Sequence, residues 1–258
     1  MKKKNSKGFT LIELLVVIGI LAILMAALLP TISNFINKSN LSAAGSQGRK
    51  LYQGILSANM SLQRNGNKTI WPKTKSSTSG GGSSKIWNKG YQNCRDYFED
   101  LFDVKNANNP TKQEKEIMED VNVLFGFGVD APDEPTQLQE ENIMWCIAGN
   151  LQDSYPDILP VLVTRNVDCN QLLVKYQGTD DSDIPVGVDN GAKYDTPFGA
   201  AGFTFIRKNG ATEVIDSQSQ ANYQIVYKQQ AFDISNVSGN REAFCYLTPT
   251  DKSTCQTK

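Results

Sequence analysis

The sequence predicts an α+β protein: a long N-terminal α-helix, membrane stem plus amphipathic half, packed on a small antiparallel β-sheet head. Two observations carry this expectation. An apolar run from Phe9 to Leu29 passes into helical periodicity that lasts to about Arg64. Far beyond it, short apolar runs bounded by Gly, Pro and Asp read as strands. Helix first and strands later, without alternation, is the order of an α+β chain.

Composition narrows the function classes. The chain has 258 residues with 26 Lys+Arg against 27 Asp+Glu, so its field is too weak to favour a nucleic-acid partner. Apolar residues make up 40% and charged residues 21%, which suits a folded domain rather than a disordered chain. Histidine is absent. Without an imidazole there is no Ser-His-Asp or Cys-His catalysis, no histidine-ligated zinc and no histidine pH switch.

Residues 1–8 form a basic leader holding Lys2, Lys3, Lys4 and Lys7. Residues 9–29 follow with Glu13 as their one charged member, and at about 1.5 Å per residue this helix spans roughly 30 Å of hydrocarbon. Lysines before the span, and no matching cluster just after it, predict a cytoplasmic N-terminus and export of everything from about Pro30 onward. A cleaved secretory signal is the plainer alternative. It requires small residues at the last and third-last positions before its cut, and a cut after Ala27 would put Met25 at the third-last position.

Glu13 stands out because an acid near a helix centre in lipid costs on the order of 2.5 to 3.5 kcal/mol, and less near the interface where this one starts. It either snorkels to the headgroups, takes up a proton, or has a cationic partner.

The stretch Lys7-Gly8-Phe9-Thr10-Leu11-Ile12-Glu13-Leu14, with an apolar run ending at Pro30, resembles the class III signal of type IV pilins and of the pseudopilins of type II secretion systems. The resemblance covers about the first 30 residues and implies a pilin-like fold. It further implies that a membrane-embedded prepilin peptidase cuts between Gly8 and Phe9 and methylates the new amine of Phe9. The family's membrane glutamate maps onto Glu13, which would pair with the Phe9 ammonium of a neighbouring subunit during assembly. The implied partners are the peptidase, other pilin or pseudopilin subunits and an inner-membrane assembly platform. The implied location is the cytoplasmic membrane, single-pass, with the head in the periplasm or otherwise outside the cytoplasm.

Residues 30–64 continue as an amphipathic half-helix through Ile32, Ile36, Ala43, Leu51, Ile55, Ala58 and Leu62. Pro30 removes one backbone hydrogen bond and should kink the helix. Asn65-Gly66-Asn67 is a stop signal. Residues 65–90 read as a flexible Gly/Ser-rich loop whose glycines lack the Gly-Lys-Ser/Thr of a phosphate loop.

Residues 91–258 are expected to form the exported head. Tyr91, Cys94, Phe98 and Leu101 recur at helical spacing, and Asn109-Pro110-Thr111 with Glu114 predicts a second short helix running to Leu124. Strands are expected over 143–148, 158–164, 203–207, 211–215 and 242–247. Asn209-Gly210 signals a two-residue hairpin, a register that places Phe203 and Phe205 on one face opposite Val214.

The cysteines are Cys94, Cys146, Cys169, Cys245 and Cys255, with no CxxC pair and no metal-ligand spacing. An oxidising compartment permits disulfides. A Cys245–Cys255 bridge would close a short C-terminal loop like those of some type IV pilins, while Cys146 beside Trp145 fits a buried thiol. No cofactor is implied by motif. Asp180-Asp181-Ser182-Asp183 with Asp189 offers calcium-type oxygens, as major pseudopilins do in the late head, but the spacing is not an EF-hand and a solvated turn explains it as well.

The functional expectation is a processed pseudopilin or pilin-like subunit of a short filament in a type II secretion or related system, not an enzyme. The alternatives are a minor pilin acting as an adhesin or DNA-uptake subunit, and a membrane-anchored hydrolase using Ser-Lys or paired carboxylates.

Overall fold

The computed structural model describes residues 9–63, 69–74, 86, 89–102, 118, 120–132, 138–167, 169, 197–216 and 244–249; of Pro30, residues 61–63 and Ala200 it describes the backbone alone. It divides into two compact units, Met1–Ser39 and Asn40–Lys258. Helix α1, Leu11–Gln63, runs without a break through Pro30 and contributes to both.

In the first unit α1 is bare. Every described side chain from Phe9 to Ser39 is exposed, including Leu11, Ile12, Leu15, Ile18, Leu24 and Phe35. The stretch is long and apolar enough to cross a membrane. So much contiguous apolar surface is not left in water by a stable protein, so it needs lipid or protein around it.

In the second unit α1 changes character at Leu41. Leu41, Ala44, Gly45, Gly48, Leu51, Tyr52, Ile55 and Asn59 recur three or four apart and are all buried. Their partner is a five-stranded antiparallel sheet in the order β6-β5-β4-β3-β7. Its strands are β3 Trp145–Gly149, β4 Pro160–Thr164, β5 Gly202–Arg207, β6 Thr212–Asp216 and β7 Cys245–Leu247. Strands β3 to β6 form a meander, and β7 returns to pair with β3.

Two glycines let helix and sheet approach closely. A β-carbon on Gly45 would lie 2.6 Å from Thr212 Cγ2, and one on Gly48 would lie 2.5 Å from Trp145 Cη2. Polar ties flank them: Thr204 Oγ1 donates to the Leu41 carbonyl at 2.9 Å, Arg49 Nε to Thr212 Oγ1 at 3.2 Å, and the Tyr52 hydroxyl to the Lys208 carbonyl. The helix stripe therefore differs from the one read in the sequence. Ile32, Ile36 and Ala43 are exposed, while Gly45 and Gly48, which an apolar count passes over, carry the closest approach. Leu62 lies outside the described side chains.

The β5–β6 hairpin corrects a register. Arg207 N–H donates to the Ala211 carbonyl at 2.8 Å and Gly210 N–H to the Arg207 carbonyl at 2.8 Å, so the loop holds three residues, Lys208, Asn209 and Gly210. Gly210 supplies the left-handed residue at φ 83°. The extra residue slips the pairing by one, and Val214 sits opposite Thr204, not Phe205. Thr204 and Val214 share the face packed on Gly45. Phe203 and Phe205 stack at 5.9 Å on the other.

Helix α2, Cys94–Leu101, starts where Asn93 Oδ1 accepts from Asp96 N–H at 2.9 Å, a side-chain cap that leaves Tyr91 outside the helix. Short parallel strands β1, Lys73–Thr74, and β2, Gly90–Tyr91, precede it. Part of the segment expected to be a flexible loop is thus paired, with Ile70 fully buried. The Gly/Ser stretch 75–85 lies outside the described residues, as does the 109–117 part of the second expected helix. Its described end, Val121–Leu124, is a 3₁₀ turn whose Val123 carbonyl accepts from the Trp145 indole at 2.9 Å.

Strands β3 and β4 begin two residues later than expected. Turns close first: Ile143 N–H bonds the Glu140 carbonyl at 3.3 Å and Leu159 N–H the Pro156 carbonyl at 3.1 Å. Buried Arg165 spans the first of these turns, donating through Nη1 to the carbonyls of Glu140, Glu141 and Ile143 at 3.0 Å each.

Candidate assembly and processing site

The residues that the sequence singles out lie at the start of α1. Thr10 precedes the first helical residue, Leu11, and Glu13 is the third residue of the helix. Helix starts leave N–H groups without intrahelical partners, and in hydrocarbon no water can serve them. Here Thr10 and Glu13 serve each other. Thr10 N–H donates to Glu13 Oε2 at 2.8 Å, the Thr10 hydroxyl donates to the same oxygen at 2.6 Å, and Glu13 N–H points back at Thr10 Oγ1 at 3.4 Å. This is a capping box. Sequence reasoning weighed Glu13 but passed over Thr10, although a threonine three residues before a glutamate at the head of an apolar run is the readable signature of one.

Phe9, one residue further out, is 79% exposed. Gly8 and the rest of the basic leader lie outside the described residues. Oxygen Oε2 of Glu13 carries both Thr10 bonds, and Oε1 has no partner among the described residues. The arrangement is a carboxylate half occupied by its own helix cap, on a helix face with no cover.

The second unit places the remaining candidates. Cys94, Cys146 and Cys169 are buried thiols outside any disulfide. Burial pushes the Cys94 thiol far up, with nearby Cys146 adding to the shift, and its Sγ donates to the Trp145 carbonyl at 3.3 Å. Such a thiol is inert rather than nucleophilic. Cys245 is disulfide-bonded, while Cys255 lies outside the described residues. So do Asp180, Asp181, Ser182, Asp183 and Asp189. Among the described residues no group of His, Cys, Asp or Glu could hold a metal ion.

Residues 3–29 match the model of the prokaryotic N-terminal methylation motif. The matched segment contains Gly8, Phe9, Thr10 and Glu13 and ends just before Pro30, and it supports the resemblance to a type IV pilin or pseudopilin signal. No curated protein and no solved structure shows significant similarity to the chain. The long helix followed by an antiparallel five-stranded sheet is a pilin-like α+β arrangement.

Proposed function

We propose that the chain is a pilin-like filament subunit of the pseudopilin kind, serving a type II secretion or related system. The observation that carries the reading is the methylation motif over residues 3–29, set on a helix whose apolar surface is uncovered from Phe9 to Ser39. Prepilin peptidase cuts between Gly8 and Phe9 on the cytoplasmic face and methylates Phe9. Residues 9–29 hold the subunit in the cytoplasmic membrane with its head outside the cytoplasm. The role is structural, with the apolar helix as filament core.

Assembly then follows from the cost of charge in lipid. Cleavage creates an ammonium at Phe9, and methylation keeps its charge. An ammonium and the Glu13 carboxylate are each expensive alone near hydrocarbon and cheaper as a pair. A subunit in the membrane therefore lowers its free energy by docking its carboxylate against the terminus of a neighbour. Pro30 marks the passage out of the apolar span. The partners are the peptidase, other pilin or pseudopilin subunits and the inner-membrane platform that adds them.

Mass spectrometry of the protein from cells containing the peptidase tests the reading. The expected mature chain begins with N-methylated Phe9, and Gly8→Val leaves the precursor uncut because the added side chain obstructs the backbone at the cut. An intact Met1 terminus in the wild type, or a cut near Ala27, overturns it.

A further inference from the structure

We propose that Asn209 is a covalent modification site: its side-chain amide is lost through attack by the Gly210 nitrogen, and the folded β5–β6 loop holds that reaction off until the loop opens.

The reactive pair arises from a requirement of the fold. Gly210 sits at φ 83°, a conformation that side chains rarely adopt, and a β-carbon there would press to 3.1 Å from Tyr52 Cε1. The third loop position therefore demands glycine. Asn209 before it is exposed, within reach of water. Asparagine is among the chemically labile residues, and a following glycine has no β-carbon to shield its backbone nitrogen from the asparagine side chain. The step is an intramolecular acyl transfer with water as its one co-reactant. The Gly210 nitrogen gives up its proton and bonds to Asn209 Cγ, the Cγ–Nδ2 bond breaks, and Nδ2 leaves as ammonia. Water then opens the five-membered imide at either carbonyl, which yields aspartate or isoaspartate at position 209.

The closed loop opposes this chemistry. Lys208 N–H donates to the Leu159 carbonyl at 2.8 Å, Asn209 N–H to the Asp157 carbonyl at 3.0 Å, Gly210 N–H to the Arg207 carbonyl at 2.8 Å and Ala211 N–H to Asn209 Oδ1 at 2.9 Å. The attacking nitrogen is thus occupied, and the group that it would attack is fixed by the Ala211 amide. Two anchors keep the loop shut. The Tyr52 hydroxyl donates to the Lys208 carbonyl, and the Lys208 ammonium donates to the carbonyls of Asp153 and Tyr155 at 2.6 Å each. Reaction needs local opening, so its rate follows the population of opened loops.

The two products differ in consequence. Aspartate keeps the backbone length and an oxygen for the Ala211 amide. Isoaspartate routes the main chain through Cγ and adds one atom to a three-residue loop, so the bonds from Arg207 to Gly210 and Ala211 that close the hairpin no longer match. That loosens β6 from β5, and with it Thr212, which packs on Gly45 of α1.

The test incubates the full chain in detergent at mildly alkaline pH, with and without urea. Peptide mass spectrometry follows the replacement of NH2 by OH at residue 209, and chromatography separates the aspartate and isoaspartate forms. In urea both products should appear. In the folded chain conversion should be at least about tenfold slower, the scale of two hydrogen bonds that must open first. Tyr52→Phe, its folding checked by a melting curve, should speed the folded-state reaction about fivefold, the scale of one lost hydrogen bond, and leave the rate in urea unchanged. Lys208→Met, which removes the ammonium bonds, takes its place if Tyr52→Phe does not fold. Absence of conversion at residue 209 in urea would overturn the site. Equal rates with and without urea, or an unchanged folded-state rate in the folded variant, would overturn control by loop opening.

Discussion

The indole of Trp145 closes the face of Gly48: a β-carbon at that position would lie 2.5 Å from Cη2 and 2.9 Å from Cζ2, with Ile206 Cδ1 at 3.1 Å. Trp145 cannot yield, because it is fully buried and its Nε1–H is tied to the Val123 carbonyl at 2.9 Å. The glycine is therefore a steric requirement of helix-on-sheet packing.

Gly48→Ala and Gly54→Ala should consequently shift stability in opposite directions. Alanine gains about 1 kcal/mol of helix propensity at either site. At Gly48 the clash with a fixed indole outweighs it, for a net loss of about 1–2 kcal/mol. At Gly54 the obstructing group is the flexible side chain of Met118, which can swing aside, so a gain of about 0.5–1 kcal/mol is expected. Urea unfolding of the full chain in detergent reads both, and a stabilised Gly48→Ala would contradict the packing.

Alkaline pH should weaken the second unit. Burial pushes the Tyr91 and Tyr97 phenols well above the ordinary tyrosine range, with the Asp100 carboxylate adding to the shift at Tyr91. Above about pH 10 the unfolded chain sheds these protons while the folded chain keeps them. Stability present below that pH is then lost at up to about 1.4 kcal/mol per pH unit for each tyrosine. Tyr97→Phe should flatten this limb. It should also stabilise by about 1 kcal/mol at neutral pH, since the Tyr97 hydroxyl is buried without a hydrogen-bond partner among the described residues. Melting curves at neutral and strongly alkaline pH compare the two proteins.

Glu13→Leu should anchor in the membrane at least as firmly as the wild type and be cleaved normally, because lipid favours the apolar side chain. Assembly should suffer, as measured by crosslinking or by recovery of sheared filaments at matched protein levels. The unfolding midpoint of the second unit should not move, since Glu13 belongs to the first.

Alkylation of the denatured, unreduced protein should label Cys94, Cys146 and Cys169 and leave Cys245 protected. We propose Cys255 as the partner of Cys245, so peptide mapping should find the two linked. Cys255→Ser should cost about 2–3 kcal/mol, the scale for a loop of this length. Labelling of Cys245 before reduction would rule the bridge out.

The long helix, the body of α2 and the strands of the sheet were legible because each depends on local periodicity, whereas the Asn93 cap that starts α2 was not read. What escaped the reading is instructive in detail. The Asn209-Gly210 pair serves equally a two-residue turn and the end of a three-residue loop, and only the finished pairing distinguishes them. Gly45 and Gly48 contribute by lacking side chains, so no hydrophobic pattern registers them. Strand β1 is two residues long and acquires its place from Asn150, whose Oδ1 accepts from Thr74 N–H at 2.9 Å across 76 positions of sequence. At the candidate site, the chemistry of Glu13 was visible from its cost in lipid. Thr10 carries no charge and no apolar bulk, so neither hydropathy nor membrane cost marks it, and its role follows from its spacing three residues before Glu13 at the helix start.

Leu41, where the Thr204 hydroxyl grips the carbonyl of α1, has a mechanical meaning for a subunit held by its helix. Tension applied to the first unit of α1 would enter the second at that residue and spread along the buried stripe from Leu41 to Asn59. A force parallel to the helix axis loads this face in shear, so the threonine tie, the two glycine approaches, the Arg49 bond and the Tyr52 clamp on the hairpin loop must slip together rather than peel in turn.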